Sequence, residues 1–357
     1  MIRTILMAVV GVLVAGCSHW PSGGEPLSPR RLGALQDRAR PPEALGLKVI
    51  SRKDAALTLY APDAQPVAGR AELPFCTRPF QKVSFPVVRL RLNGGLVQAL
   101  LDTGAAVSLI ECGAALRCGL IPLTADTPGQ STRRLVRIQA QGLGGDVDSF
   151  LCVARKMTVG DQGLDYGLFG LINRTAGLEG FWWLQGFRVE AVLGADFLRR
   201  FSCYQLDYPR ERIVLGAVPP ALSGSRAIRL PLDRRFPVPV VTVTWENGQG
   251  FPAALDSGFD GGLWVPGGLA KQLGFSVPTA ATPLWAGHGM GGPTVSTHHA
   301  PRTVLLGLLP IFHVPVSTGV AGDREKIMPF ALLGNQVLRA FRVTVDNRGG
   351  WVYLERP

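Results

Sequence analysis

Two stretches decide how this chain is read: Leu100-Leu101-Asp102-Thr103-Gly104-Ala105-Ala106-Val107-Ser108-Leu109-Ile110, and Ala254-Leu255-Asp256-Ser257-Gly258-Phe259-Asp260-Gly261-Gly262-Leu263-Trp264-Val265. In each, an apolar run leads into Asp, a hydroxyl residue and Gly, and a second apolar run follows. One Asp-Thr-Gly is weak evidence for chemistry, because aspartate before glycine is a common turn former. Two copies are stronger, and the sequence around them repeats as well.

Four blocks recur in the same order. Phe85-Pro86 and Phe236-Pro237 each open an apolar run, and the aspartate blocks follow. Gly142-Leu143-Gly144-Gly145 and Gly289-Met290-Gly291-Gly292 come next. LGADFLRRF, from Leu193 to Phe201, and LGNQVLRAF, from Leu333 to Phe341, close the series. Short apolar runs then end each copy, Ile213 to Leu215 after Leu206-Asp207 and Trp351 to Leu354 after Val345-Asp346. Asp207 and Asp346 precede turns and read as structural. Preserved block order implies a duplicated lobe.

Within each copy the pattern is that of strands. VVRLRL and PVVTVTW alternate or run apolar. Asn93-Gly94-Gly95 and Glu246-Asn247-Gly248 read as hairpin turns. Leu96 to Leu101 and Phe251 to Leu255 return as second strands, each ending at its aspartate. Cys112 to Cys118 and Gly268 to Leu273 read as short helices. With 44 glycines and 28 prolines in 357 residues, long helices do not dominate. The expectation is an all-β protein of two similar lobes related by a pseudo-twofold, residues 47–222 and 223–357, with short helices.

That symmetry brings Asp102 and Asp256 face to face. Two carboxylates so close cannot both ionise easily and share a proton. One then serves as base toward a water held between them and the other as acid toward a carbonyl oxygen, with no covalent intermediate. The Thr103 and Ser257 hydroxyls are placed to bond across the axis. Gly104 and Gly258 permit close backbone approach.

The sequence resembles the retropepsin-like branch of the aspartic proteases, over most of residues 80 to 357. The resemblance is carried by LLDTGAAVSLI, ALDSGFDGGLWV, AVLGADFL (Ala191 to Leu198) and ALLGNQVL (Ala331 to Leu338). It implies acid-protease barrels, and Val192-Leu193-Gly194 and Leu332-Leu333-Gly334 threading beside the catalytic loops. It also implies flaps at Gly142, Leu143, Gly144 and Gly145 and at Gly289, Met290, Gly291 and Gly292. Family members often dimerise; this chain carries both lobes and is expected to act as a monomer. The chain departs from the family at Phe259, whose ring stands where it would narrow or distort the site. It departs again at Ala105, which lacks the hydroxyl that in pepsin-like members favours the charged carboxylate. A less acidic working range is therefore expected.

The chain opens MIRTILMAVVGVLVAGCSHW. Arg3 and the short apolar stretch Ile5 to Ala15 read as a signal peptide, residues 1–16. Leu13-Val14-Ala15-Gly16-Cys17 resembles the lipobox of bacterial lipoproteins, with Cys17 the lipidated residue. Ser18 then points to the periplasmic face of the outer membrane. Residues 17–46, rich in Pro, Gly, Ser and Arg, read as a flexible tether. Residues 47 to 80 read either as a strand-rich extension of the first lobe or as a segment lying across the cleft.

Formal charge is +11, but the basic residues are scattered as pairs, Arg133-Arg134, Arg199-Arg200 and Arg234-Arg235. Nucleic acid is therefore not the expected partner; a peptide substrate and, through the lipid, a membrane are. Cys112 and Cys118 are spaced to close a small loop, and Cys76, Cys152 and Cys203 complete an odd set. No zinc spacing is present, so neither metal nor cofactor is expected. His298 and His299 point to opposite faces of a strand, and Trp182-Trp183 reads as packing. The function expected is a lipid-anchored endopeptidase of the bacterial envelope. The alternatives are a degenerate protease fold that binds peptide without cutting it, and a structural lipoprotein.

Overall fold

The apolar runs that flank the aspartates fold as hairpins. Val87–Leu92 buries Val88, Leu90 and Leu92 and exposes Arg89 and Arg91. It turns at Asn93-Gly94, both at positive φ (49° and 89°), the turn that matches strand twist and selects Asn-Gly. It returns as Gly95–Leu101, with Leu92 opposite Gly95 and Val87 opposite Leu100.

The computed structural model describes residues 28–51, 57–60, 67, 69–76, 85–126, 133–142, 145–172, 183–184, 187–219, 227–275, 284–289, 292–319 and 328–356. The first half contributes β1 (Ala71–Pro74), β2 (Val87–Leu92), β3 (Gly95–Leu101), β4 (Leu109–Glu111), β5 (Arg137–Gly142) and β6 (Gly145–Val159). It continues with β7 (Gln162–Ile172), β8 (Ala191–Leu193), β9 (Cys203–Asp207) and β10 (Arg212–Leu215). The second half repeats them as β11 (Ala227–Pro231), β12 (Val240–Trp245), β13 (Gly250–Leu255), β14 (Leu263–Val265) and β15 (Trp285–Gly289). Then come β16 (Gly292–Leu306), β17 (Leu309–Gly319), β18 (Ala331–Leu333), β19 (Arg342–Asp346) and β20 (Trp351–Glu355). Short helices complete it: α1 (Pro29–Arg38), α2 (Cys112–Arg117), α3 (Ala195–Leu198), α4 (Gly267–Gln272) and α5 (Asn335–Leu338).

Each half closes a six-stranded barrel. The first runs β6-β7-β4-β8-β3-β2 and closes through β2 on β6. The second runs β12-β13-β18-β14-β17-β16 and closes through β12 on β16. Closure leaves these strands without open edges. The protein is thus an all-β, two-lobed fold, as the repeat implied.

A sheet shared by both halves, in the order β11-β20-β19-β9-β10-β1, joins the lobes. Its centre carries the symmetry: Gln205 of β9 lies opposite Thr344 of β19, and these two are also repeat counterparts. Gln205 Nε2 donates to Thr344 Oγ1 at 2.8 Å. Buried Asp207 ends β9, where Arg210, Arg212 and Arg342 converge on its carboxylate at 3.2, 3.6 and 3.7 Å, the structural role expected of it. One hydrophobic core extends from both barrels to this sheet. Of the segment between residues 47 and 80, Ala71–Pro74 is the edge strand of the shared sheet, and Lys48–Ser51 pairs with Leu57–Tyr60.

The segment read as a tether is not free from Ser28 onward. Ser28 Oγ accepts from Arg31 N at 3.4 Å and caps α1. Leu35 is buried in the core with Leu32 at its edge. Arg38 donates to the Leu116 carbonyl at 2.9 Å, and the Arg40 backbone bonds Pro122 and Thr124. Leu45 and Leu47 then pack on Val136, Ile138, Leu151 and Val153. The polar composition conceals two apolar anchors, Leu35 and Leu45, with Leu47 just past its end; each contributes roughly 1.5–3 kcal/mol on full burial, and they hold the strap against the first lobe. Residues 1–16, Cys17 and the rest of 17–27 lie outside the described residues.

Cys112 and Cys118 do not close the small loop that their spacing allows. Cys112 turns inward beside Cys152, whereas Cys118 abuts Gly95, so α2 holds the two thiols against different neighbours. All five described cysteines are buried free thiols.

Candidate active site

Each aspartate sits where a barrel strand runs out and a third strand holds it. β8 lies parallel to β3 and antiparallel to β4, and the Asp102 N–H donates to the Leu193 carbonyl at 3.0 Å. In the second lobe β18 lies parallel to β13 and antiparallel to β14, and the Asp256 N–H donates to Leu333 at 2.9 Å. Apolar-apolar-Gly is required here because the strand is buried and its glycine touches the loop. A Cβ on Gly194 would lie 2.8 Å from the Ala105 carbonyl oxygen, and one on Gly334 would lie 2.5 Å from that of Gly261.

The two loops are locked to each other. Thr103 Oγ1 donates to the Leu255 carbonyl at 2.5 Å and accepts from Ser257 N at 3.0 Å. Ser257 Oγ donates to the Leu101 carbonyl at 2.6 Å and accepts from Thr103 N at 3.0 Å. Both residues are fully buried, so every hydroxyl and amide of the lock is partnered inside the protein.

This lock sets the carboxyls against one another, close enough that each shifts the titration of the other. A Cβ on Gly104 would collide with the Asp256 carboxyl, and one on Gly258 with that of Asp102. Gly104 N and Ala105 N donate to Asp102 Oδ1 at 2.9 and 3.0 Å; Gly258 N donates to Asp256 Oδ1 at 2.8 Å. Burial raises the Asp102 carboxyl above its ordinary value, against the pull of these donors. Asp256 is raised well above it, by burial first and then by the charge of Asp102. A pair of this kind retains one proton between two carboxyls.

Phe259 does not distort the site. Its ring lies over Gly261 and against Gly334 and joins the cluster of Ala195, Val238, Val240, Ala254 and Leu332. Beneath the Asp256 loop, Asn335 Nδ2 donates to the Ser257 carbonyl at 2.8 Å and Asn335 Oδ1 accepts from the buried Tyr208 hydroxyl at 2.5 Å. Tyr208 comes from the first lobe, so this support crosses the twofold. Beneath the Asp102 loop stand Ser108 and Asp196 instead. Sequence reasoning missed all four residues. They lie where the two copies differ (Ala195 opposite Asn335, Ser108 opposite Gly262, Asp196 opposite Gln336), whereas the repeat is recognised where the copies agree.

Gly142 pairs with Gly145 at the end of the β5–β6 hairpin, and Gly289 with Gly292 at the end of β15–β16. Both glycine blocks therefore form hairpin ends between the aspartate and the apolar-apolar-Gly strand. Leu143, Gly144, Met290 and Gly291 lie outside the described residues, as does Trp182. Trp183 pairs with Arg188 in a two-residue ladder. His298 is exposed and His299, on the opposite face, bonds Thr318 Oγ1 at 2.9 Å. The chain matches no protein-family model and no curated protein.

Proposed function

We propose that this chain is a single-chain aspartic endopeptidase of the retropepsin-like kind, with Asp102 and Asp256 as its catalytic pair. The observation that carries the reading is the pair of facing carboxyls between two closed barrels, each raised by desolvation, with a reciprocal hydroxyl lock beneath them. The ionised member takes a proton from a water held between the two. That water attacks a peptide carbonyl carbon while the protonated member donates to the carbonyl oxygen. Collapse of the tetrahedral species sends a proton to the leaving nitrogen and returns the pair to its starting state. The β5–β6 and β15–β16 hairpins act as flaps, pairing with the backbone of an extended substrate. The N-terminal Cys17 anchors the enzyme by lipid in the bacterial envelope, facing the periplasm.

The test is cleavage of a mixed peptide library from pH 3 to 8 by a form starting at Ser18, beside Asp256→Asn. Cleavage by the parent alone supports the pair, and the expected optimum lies above pH 4. Cleavage by both forms means that the pair is misassigned. Cleavage by neither refutes hydrolysis.

A further inference from the structure

The two catalytic loops are supported differently, although the lobes are copies. In the second lobe, main-chain bonds close the loop: Gly334 N donates to the Gly262 carbonyl at 2.8 Å and Gln336 N to that of Gly261 at 3.1 Å. In the first lobe, where Ala195 N still bonds the Ala105 carbonyl at 2.8 Å, a side chain takes the place of the Gly262 carbonyl. Gly194 N donates to Ser108 Oγ at 3.1 Å. Ser108 Oγ donates onward to Asp196 Oδ1 at 2.7 Å, and the same oxygen accepts from Phe197 N at 2.8 Å. Gly194 directly follows Leu193, whose carbonyl receives the Asp102 amide. A continuous path of short bonds thus runs from Asp196 to Asp102, with Ser108 and Gly194 buried at its centre.

We propose that Asp196 is a positioning residue for Asp102, holding the first catalytic loop in register through the Ser108 hydroxyl and the Gly194 amide. This rests on the hydrolytic reading above. The role belongs to an acceptor atom. Oδ1 already takes two donors, so a proton on the carboxyl goes to the other oxygen, and the path survives in both charge states. Burial raises the Asp196 carboxyl to about 6. The charged group facing it is Arg200, whose guanidinium is fixed by the carbonyls of Asp165 and Tyr166, with the Asp165 carboxylate behind it. Asparagine therefore replaces the aspartate without loss of the path, whereas alanine opens it. Misplacement of a reacting group by about 1 Å costs on the order of a hundredfold in rate.

The experiment compares the parent, Asp196→Asn, Asp196→Ala, Ser108→Ala and the double alanine variant. It reads kcat and KM on a cleaved peptide, and the titration of the Asp102 carboxyl carbon by NMR of aspartate-labelled protein. The expected result is kcat within about threefold of the parent for Asp196→Asn. Asp196→Ala and Ser108→Ala should each lose about tenfold to a hundredfold in kcat at unchanged KM, with the double variant no worse than either. Both alanine variants should shift the Asp102 titration. Ser108→Ala removes one hydroxyl and carries the test if Asp196→Ala does not fold. Additive losses, or an unmoved Asp102 titration with unchanged kcat, overturn the proposal. If the parent cleaves nothing but the alanine variants still shift the Asp102 titration, the hydrolytic reading sinks while the coupling stands.

Discussion

Thr103 and Ser257 each donate and accept across the twofold, and neither hydroxyl has water as an alternative partner. Removing one leaves a buried amide and a buried carbonyl unmatched, at a cost of about 1–3 kcal/mol for each group stranded. Thr103→Ala is therefore expected to lower the denaturant midpoint clearly, whereas Thr103→Ser, which keeps the oxygen, stays close to the parent. Equal midpoints for the two variants would show that the lock adds nothing to stability. Glycine at 334 is constrained more tightly than either hydroxyl. The atoms a methyl group would meet include the Gly261 and Phe259 carbonyl oxygens, which are backbone and cannot step aside. The Phe259 ring closes off the same space. Phe259 is therefore part of the support for the Asp256 loop.

The strap and the hairpins show what a repeat reveals and what it hides. Barrel strands, the two aspartate loops and the glycine-ended hairpins were legible because duplication writes each of them twice. The strap has no second copy. Its anchors, Leu35 and Leu45, are too sparse among Pro and Arg to show a period, so the segment read as linker. Its partners, Val136 and Ile138 with Leu151 and Val153, lie in and beside the root of the β5–β6 hairpin. The counterparts of Leu151 and Val153 in the second lobe are the exposed His298 and Ala300, one polar and one small, where the first lobe has two buried aliphatic side chains. The thiols stayed open in the sequence for a related reason: spacing places Cys112 near Cys118, but α2 turns them toward different neighbours. If the strap is integral to the first lobe, Leu35→Ala costs about 2–5 kcal/mol, the range for a buried leucine cut to alanine. A loose tether predicts no change. Thermal unfolding of the two forms distinguishes these, and an unchanged transition would return residues 28–46 to linker status.

Across the whole molecule, the buried carboxyls give stability a direction in pH. Asp102, Asp256 and Asp196 all have raised pKa values in the folded protein, with burial the largest cause in each. The fold therefore binds their protons more tightly than the unfolded chain, whose carboxyls titrate near the ordinary value of 3.8. Their contribution is fully present below that value and is lost as pH rises through the folded pKa, about 6 for Asp196. His299 pulls the other way, because burial lowers it, so its contribution is lost as pH falls; it is only partly buried and counts for less. Opposing all of these at the acid end is the net positive charge, which grows as surface carboxylates protonate. The melting temperature is thus expected to climb as pH is lowered from about 7.5 toward 5, and to fall again once the surface carboxylates titrate. Asp196→Asn should flatten the upper part of that climb, because the amide keeps the hydrogen bonds but has no proton to lose. Asp256→Asn should flatten it further by relieving the crowding of two carboxylates, so that the variant gains on the parent at neutral pH. Calorimetry across this range checks both. A parent that melts higher at pH 7.5 than at pH 5, with both variants following it, would mean that the pair and Asp196 are better solvated than their burial implies. The shared proton on which the proposed chemistry depends would then have no thermodynamic support.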